Sequence, residues 1–220
     1  MNKTKEDIAL AYDSEPWWYD VRGFFILTFA YNNTLTRQIK FFAKNFGPKH
    51  IEIGCGSGTL LEIVLYFRKW KKLSQSQITA IDYAEPMLIG ARRRFAKWSD
   101  VEVQHGDAGH LSFADASFDT ANIANSVHCF PEVDKALHET FRILKPGGTL
   151  ALNVLLYPRG MWPWKAIANS IDNWGMRKGI LYTPYEKNDI RQRILNAGFE
   201  LDSESISGNC YYAVARKPVL

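Results

Sequence analysis

The run His50-Ile51-Glu52-Ile53-Gly54-Cys55-Gly56-Ser57-Gly58-Thr59-Leu60-Leu61-Glu62 constrains this chain more than any other stretch. A short apolar segment ends in an acid, three glycines follow at alternate positions, and an apolar helical pattern starts at about Thr59. Strand, Gly-rich turn and helix N-terminus together make a nucleotide-type site, because glycine lets the backbone pass close to a ligand. The spacing is G-x-G-x-G. The dinucleotide fingerprint G-x-G-x-x-G needs its third Gly at position 59, where Thr59 stands. The pattern therefore points away from pyrophosphate cofactors and towards a ligand without phosphates.

From Lys49 onward strand and helix patterns alternate: strand 49–53, helix 59–70, strand 77–81, helix 86–97, strand 101–104, strand 120–124, helix 133–144 and strand 149–155. Such alternation predicts a doubly wound parallel sheet, whose ligands bind outside the carboxyl ends of the strands. Glu52, Asp82, Asp107 and Asn125 all fall at predicted strand C-termini, which is independent support for one shared site. Leu144-Lys145-Pro146-Gly147-Gly148-Thr149-Leu150 reads as a helix stop and a turn feeding the fifth strand. Before the core, residues 3–12 suit a short helix and residues 22–45 a longer one, apolar on more than one face and ended by Gly47-Pro48. After strand five, residues 157–185 interrupt the alternation with Pro, Gly and aromatic residues around a helix at 164–174, a lid candidate at the ligand edge. A helix at 186–196 and two strands at 200–205 and 210–216 end the pattern.

Together the Gly loop, Asp82, Gly106-Asp107-Ala108, Phe118-Asp119 and Lys145-Pro146-Gly147-Gly148 resemble the class I S-adenosylmethionine-dependent methyltransferases, in particular the small-molecule branch of the ubiquinone/menaquinone-biosynthesis type. The resemblance covers roughly residues 49–157 and the tail 183–216. It implies a Rossmann-like, doubly wound seven-stranded α/β sheet with an antiparallel last strand, an N-terminal helical segment and a helical insertion after strand five. The chain divides accordingly, within one methyltransferase domain, into a helical cap (1–47), a cofactor-binding core (48–156), a lid-like insertion (157–185) and a C-terminal helix and hairpin (186–220). The implied cofactor is S-adenosyl-L-methionine, with S-adenosyl-L-homocysteine as product. Asp82 would take the ribose hydroxyls, Asp107 and Ala108 would face the adenine, and Glu52 would approach the methionyl amine. Tyr83 and Met87 would flank ribose and adenine, and Gly54, Cys55, Gly56, Gly58 and Asn125 would border the cofactor, with Cys55 as a small filler. Tyr12-Asp13 and Tyr19-Asp20 resemble the segment that folds over the cofactor in this branch, which adds Tyr19 to the set.

On the acceptor side, Asn125-Ser126-Val127-His128-Cys129-Phe130 follows the fourth strand, where the methyl group should lie. His128 is the candidate general base; its alternative role is to order the loop or shape the pocket wall. Phe25, His128, Phe130, Trp162 and Trp174 are the expected pocket residues, and their aromatic character suggests an apolar or planar small-molecule acceptor.

Composition narrows the field. The 220 residues carry a formal net charge of +4, too little to argue for nucleic acid. Basic clusters at 68–72 and 92–94 read as solvated helix ends, and leave a peripheral contact with anionic lipid open. Three scattered cysteines without ligand spacing, and no secretory signal, argue for a reduced, cytoplasmic setting and no metal. The apolar run 23–31 is much shorter than the roughly 20 residues a membrane span needs. Thr59 and the Lys145–Gly148 motif disfavour a nicotinamide oxidoreductase. The expected reaction is in-line methyl transfer to a small acceptor. The competing readings are a phospholipid or amine N-methyltransferase and a non-catalytic cofactor-binding protein; the oligomeric state is not legible.

Overall fold

The computed structural model describes residues 33–159, 162–178 and 183–219. They form a seven-stranded sheet of order β3-β2-β1-β4-β5-β7-β6. Its strands are β1 (Lys49–Ile53), β2 (Gln77–Asp82), β3 (Val101–His105), β4 (Phe118–Ile123), β5 (Leu144–Leu155), β6 (Glu200–Ser207) and β7 (Cys210–Arg216). The first five run parallel, and β7 lies antiparallel between β5 and β6. The strand order reverses between β1 and β4, the switch point that opens a crevice at the carboxyl edge. The helices are α1 (Leu35–Phe42), α2 (Thr59–Trp70), α3 (Glu85–Phe95), α4 (Val133–Ile143), α5 (Trp164–Lys178) and α6 (Lys187–Asn196), with a 3-10 turn at Val127–Cys129.

Both faces of the sheet are covered, so successive residues of one strand enter different cores. Ile51 and Ile53 pack with Ile81, Ile123 and the apolar sides of α4 and α6. His50 and Glu52 point the other way, beneath α1 and α2. There Phe46 stacks on the His50 ring at 3.8 Å, and Thr120 Oγ1 lies 2.8 Å from His50 Nδ1. Arg68 is buried in this layer, its guanidinium over the Phe46 ring and donating to the carbonyls of Ala43 and Ser74. Arg94 pairs with Glu62 and donates to Ser57 O, and Arg92 pairs with Glu85. Two of the expected basic clusters are thus partly consumed by internal contacts, not wholly solvated.

Three sequence expectations change. The long helix expected over 22–45 does not run through position 34, because Thr34 is extended and its hydroxyl caps α1 by accepting from Arg37 N–H. Asn-Asn-Thr offers side-chain acceptors that compete with a continuing helix. The Lys145–Gly148 run is part of β5, not a turn ahead of it. β4 pairs Phe118 with Leu144 and then Thr120 with Thr149, so the Pro-Gly-Gly residues form a bulge, with Gly147 at φ 78°. Lys217 Nζ donates to the carbonyls of Phe141 and Leu144, satisfying the end of α4 where no loop intervenes. Finally, α5 runs past Trp174 to Lys178. Its Ala168, Asp172 and Gly175 are buried, and Ile171 and Met176 pack against Leu155, Cys210 and Tyr212 beside Leu35 and Phe41 of α1.

Candidate active site

An open-mouthed cleft of about 850 Å³, partly open to solvent, lies at the carboxyl ends of β1, β2 and β4. Gly54, Gly56, Asp82, Tyr83, Met87, Asp107, Ala108, Asn125 and Phe130 all line it, as the sequence led us to expect.

The Gly loop is held from below. The N–H groups of Gly54 and Cys55 both donate to Ile81 O, and Gly54 and Gly56 adopt left-handed φ of 74° and 56°. Ser126 Oγ donates to Gly54 O at 2.8 Å, and a Cβ on Gly54 would stand 2.7 Å from Ser126 Cβ. Asp82 closes the loop from the side: Oδ2 accepts from Gly56 N–H at 2.7 Å and Oδ1 from Ala84 N–H at 2.9 Å. Burial pushes its carboxyl above the usual range, and these backbone donors pull it back. Asp107 Oδ1 accepts from Gly109 N–H at 2.9 Å, shaping the turn that carries Ala108 into the cleft.

Other expected residues stand elsewhere. Glu52 is 4% exposed and faces His50, with 3.5 Å between Oε2 and Nε2; strand alternation gives the cleft Ile53 instead. Cys55 packs into the α2–α3 core as a filler, and burial pushes its thiol up. Gly58 begins α2 at φ 80°, and its role is packing: a Cβ there would lie 2.5 Å from the Phe95 ring. Gly58→Ala is therefore expected to cost about 2–3 kcal/mol, from left-handed strain plus overlap. This would lower the thermal midpoint by roughly 5–10 °C, and an unchanged midpoint in a melting experiment would refute it.

His128 is 6% exposed and does not line the cleft; burial lowers its pKa to about 3, so it stays neutral near pH 7. Its carbonyl accepts from Thr183 N–H, tying the 3-10 turn to the end of the insertion. Trp162 is 82% exposed and Trp174 37%, and neither lines the cleft. Tyr19 and Phe25 lie outside the described residues. Sequence reasoning missed Pro131, Glu132 and Ala136, which with Ser126 and Cys129 of the expected Asn125–Phe130 loop complete the wall on the β4 side. Their position just after β4, around the expected acceptor loop, was the available signal.

Residues 51–152 match the methyltransferase domain family Methyltransf_11. The matched residues run from β1 into β5 and carry the parallel strands of the sheet described above. The chain is similar to the demethylmenaquinone methyltransferases. The enzyme of that description from Desulfitobacterium hafniense is 36% identical over 106 residues, which is 46% of this chain and 40% of that protein. The chain thus matches less than half the length of this relative. Among solved structures, a chain of the complex between the Haloferax volcanii Trm112 methyltransferase activator and a methyltransferase superposes with a TM-score of 0.70. It is 19% identical and covers 98% of this chain and 99% of that one. Phosphoethanolamine N-methyltransferase 2 of Haemonchus contortus, solved with S-adenosyl-L-methionine, gives 0.65 at 16% identity, covering 83% of this chain and 52% of that one. At these identities the likeness is one of fold.

Proposed function

We propose that this chain transfers the methyl group of S-adenosyl-L-methionine to a small, apolar, quinone-like acceptor. The observation that carries the reading is the convergence of Gly54, Gly56, Asp82, Asp107 and Ala108 on one cleft at the carboxyl ends of neighbouring parallel strands. The acceptor class is supported by the similarity to demethylmenaquinone methyltransferases and by the wall of Phe130, Pro131 and Ala136. The cofactor supplies an activated methyl group whose release needs neither metal nor proton.

The chain's residues bind and orient. The positive-φ backbone at Gly54 and Gly56 permits close approach along the loop. The Asp82 carboxylate accepts from Gly56 and Ala84 N–H, with Tyr83 N–H bonded to it as well, and turns its remaining acceptor capacity to the ribose hydroxyls. Asp107 and Ala108 meet the adenine, with Met87 and Tyr83 beside it. Cys129, Phe130 and Pro131 exclude water from the transfer path. His128, buried and neutral, supports the turn that carries these residues instead of moving a proton.

The test supplies labelled S-adenosyl-L-methionine with a reduced demethylated naphthoquinone in one arm and phosphoethanolamine in the other. Transfer to the quinol is expected. Transfer to the amine alone would replace this reading with an amine N-methyltransferase, and cofactor binding without transfer in either arm would favour a non-catalytic binding protein. A chelator is expected to leave the rate unchanged, since among the described residues no group of three or more His, Cys, Asp or Glu is placed to hold a metal ion.

A further inference from the structure

Asn125 is one of three non-glycine residues with positive φ among the described residues, and of the three it alone lines the cleft. Its φ is 55°. Left-handed backbone at a non-glycine residue is uncommon and is kept where the surroundings enforce it. The enforcing contacts are specific. Asn125 Nδ2 donates to Gln38 Oε1 at 2.9 Å, and Gln38 Nε2 donates back to Asn125 Oδ1 at 3.2 Å. Asn153 repeats the pairing from β5: its Nδ2 donates to Asn125 Oδ1 at 2.6 Å, and its Oδ1 accepts from Asn125 N–H at 2.6 Å. Gln38 and Asn153 are fully buried and neither lines the cleft. The amide of Asn125 is therefore committed to residues behind the wall. The next residue, Ser126, is fixed as well, donating to Gly54 O and Ala124 O.

We propose that Gln38 and Asn153 are positioning residues for methyl transfer: they lock Asn125 in the left-handed conformation so that its main chain, and not its amide, forms the wall of the cleft at the end of β4. The ligand-facing element is the peptide backbone of Asn125 and Ser126. Because Ser126 also holds the first glycine of the cofactor loop, this lock joins α1 and β5 to the Gly loop through one continuous set of hydrogen bonds. Asn suits the position twice over, tolerating positive φ and supplying both a donor and an acceptor to satisfy two buried amides. The inference rests on the methyltransferase reading above. It adds that α1, outside the Gly loop and both cofactor acids, takes part in setting the transfer geometry.

The experiment compares Asn125→Gly with Asn125→Ala. Both remove the amide, but only Ala resists φ near 55°. Turnover on the reduced naphthoquinone and affinity for S-adenosyl-L-homocysteine by calorimetry are read together. Expected is about tenfold higher kcat for the Gly variant than for the Ala variant, with homocysteine-product affinity within about threefold between them. Equal losses in kcat would overturn the proposal and assign the amide itself to ligand contact. A second arm uses Gln38→Met, close in shape but unable to hold the amide; it should lower kcat by about tenfold in the Asn125 protein and by much less in the Asn125→Gly protein. Additive losses would overturn the lock. If Gln38→Met does not fold, amide exchange of Asn125 in the unaltered protein decides: a freely exchanging N–H would contradict the bond to Asn153. Failure of the underlying reading is separate, since it shows as absent product binding or absent transfer in the unaltered protein.

Discussion

Asp82→Ala is expected to bind S-adenosyl-L-homocysteine more weakly by a factor of one hundred or more. The carboxylate accepts from Gly56 and Ala84 N–H, at 2.7 and 2.9 Å. A carboxylate has about four acceptor sites, shared here among these two N–H groups, the Tyr83 N–H and the ribose hydroxyls. Charge-assisted bonds of this kind contribute about 1.5–3 kcal/mol each, so the two to ribose amount to at least about 3 kcal/mol, or roughly 150-fold in affinity. The alanine also leaves the Gly56 N–H without its acceptor and loosens the loop, which adds to the loss. Asp82→Asn keeps the shape and one acceptor oxygen, and should fall between the two. Calorimetry on folded Asp82→Ala that returned an unaltered dissociation constant would reject the assignment.

The Gly-loop side of the cleft was legible because its residues are local to strand ends. Gly54, Gly56, Asp82, Asp107 and Ala108 each sit one or a few residues past an apolar run, and in a parallel sheet all such positions share one edge. Glu52 was harder for the same reason that the sheet is stable. Both faces of β1 are buried, so no polar–apolar alternation marks whether Glu52 or Ile53 faces the ligand. Side-chain direction in the turn after β4 was equally hidden: Val127–Cys129 is a three-residue 3-10 turn, and Cys129 reaches the cleft where His128 does not. The aromatics of the insertion misled because composition carries no direction. On α5 the buried positions are Ala168, Asp172 and Gly175, while Trp174 lies on the exposed side. Lys145–Gly148 reads locally as a turn, and only pairing with β4 and the C-terminal Lys217 makes it a bulged strand. The amide lock on Asn125 joins residues 38, 125 and 153, a separation that no local pattern reveals.

Asp172→Asn is expected to raise thermal stability at pH 8 and to leave it unchanged at pH 4. Asp172, on α5, is 4% exposed, and its Oδ2 has no hydrogen-bond partner among the described residues. Burial alone raises its pKa to about 7. In the unfolded chain an aspartate titrates near 3.9. Below about pH 4 both states hold the proton and the residue makes no pH-dependent difference. Between about pH 4 and 7 the folded chain keeps a proton that the unfolded chain has released, so stability falls as pH rises through this window. Above about pH 7 both states are ionised and the full cost of the buried charge is present. Each tenfold change in acidity corresponds to about 1.4 kcal/mol, which sets an upper bound of about 4 kcal/mol; water reaching the helix face would reduce it to about 2. For a chain of this size, that range corresponds to roughly 5–15 °C in the thermal midpoint. The amide has no charge to bury, so the variant should lack the fall between pH 4 and 7 that this carboxyl imposes. Melting curves of the two proteins that stay parallel from pH 4 to pH 8 would show that Asp172 is ionised at its ordinary pKa, and hence that its carboxyl reaches water or a cation in solution.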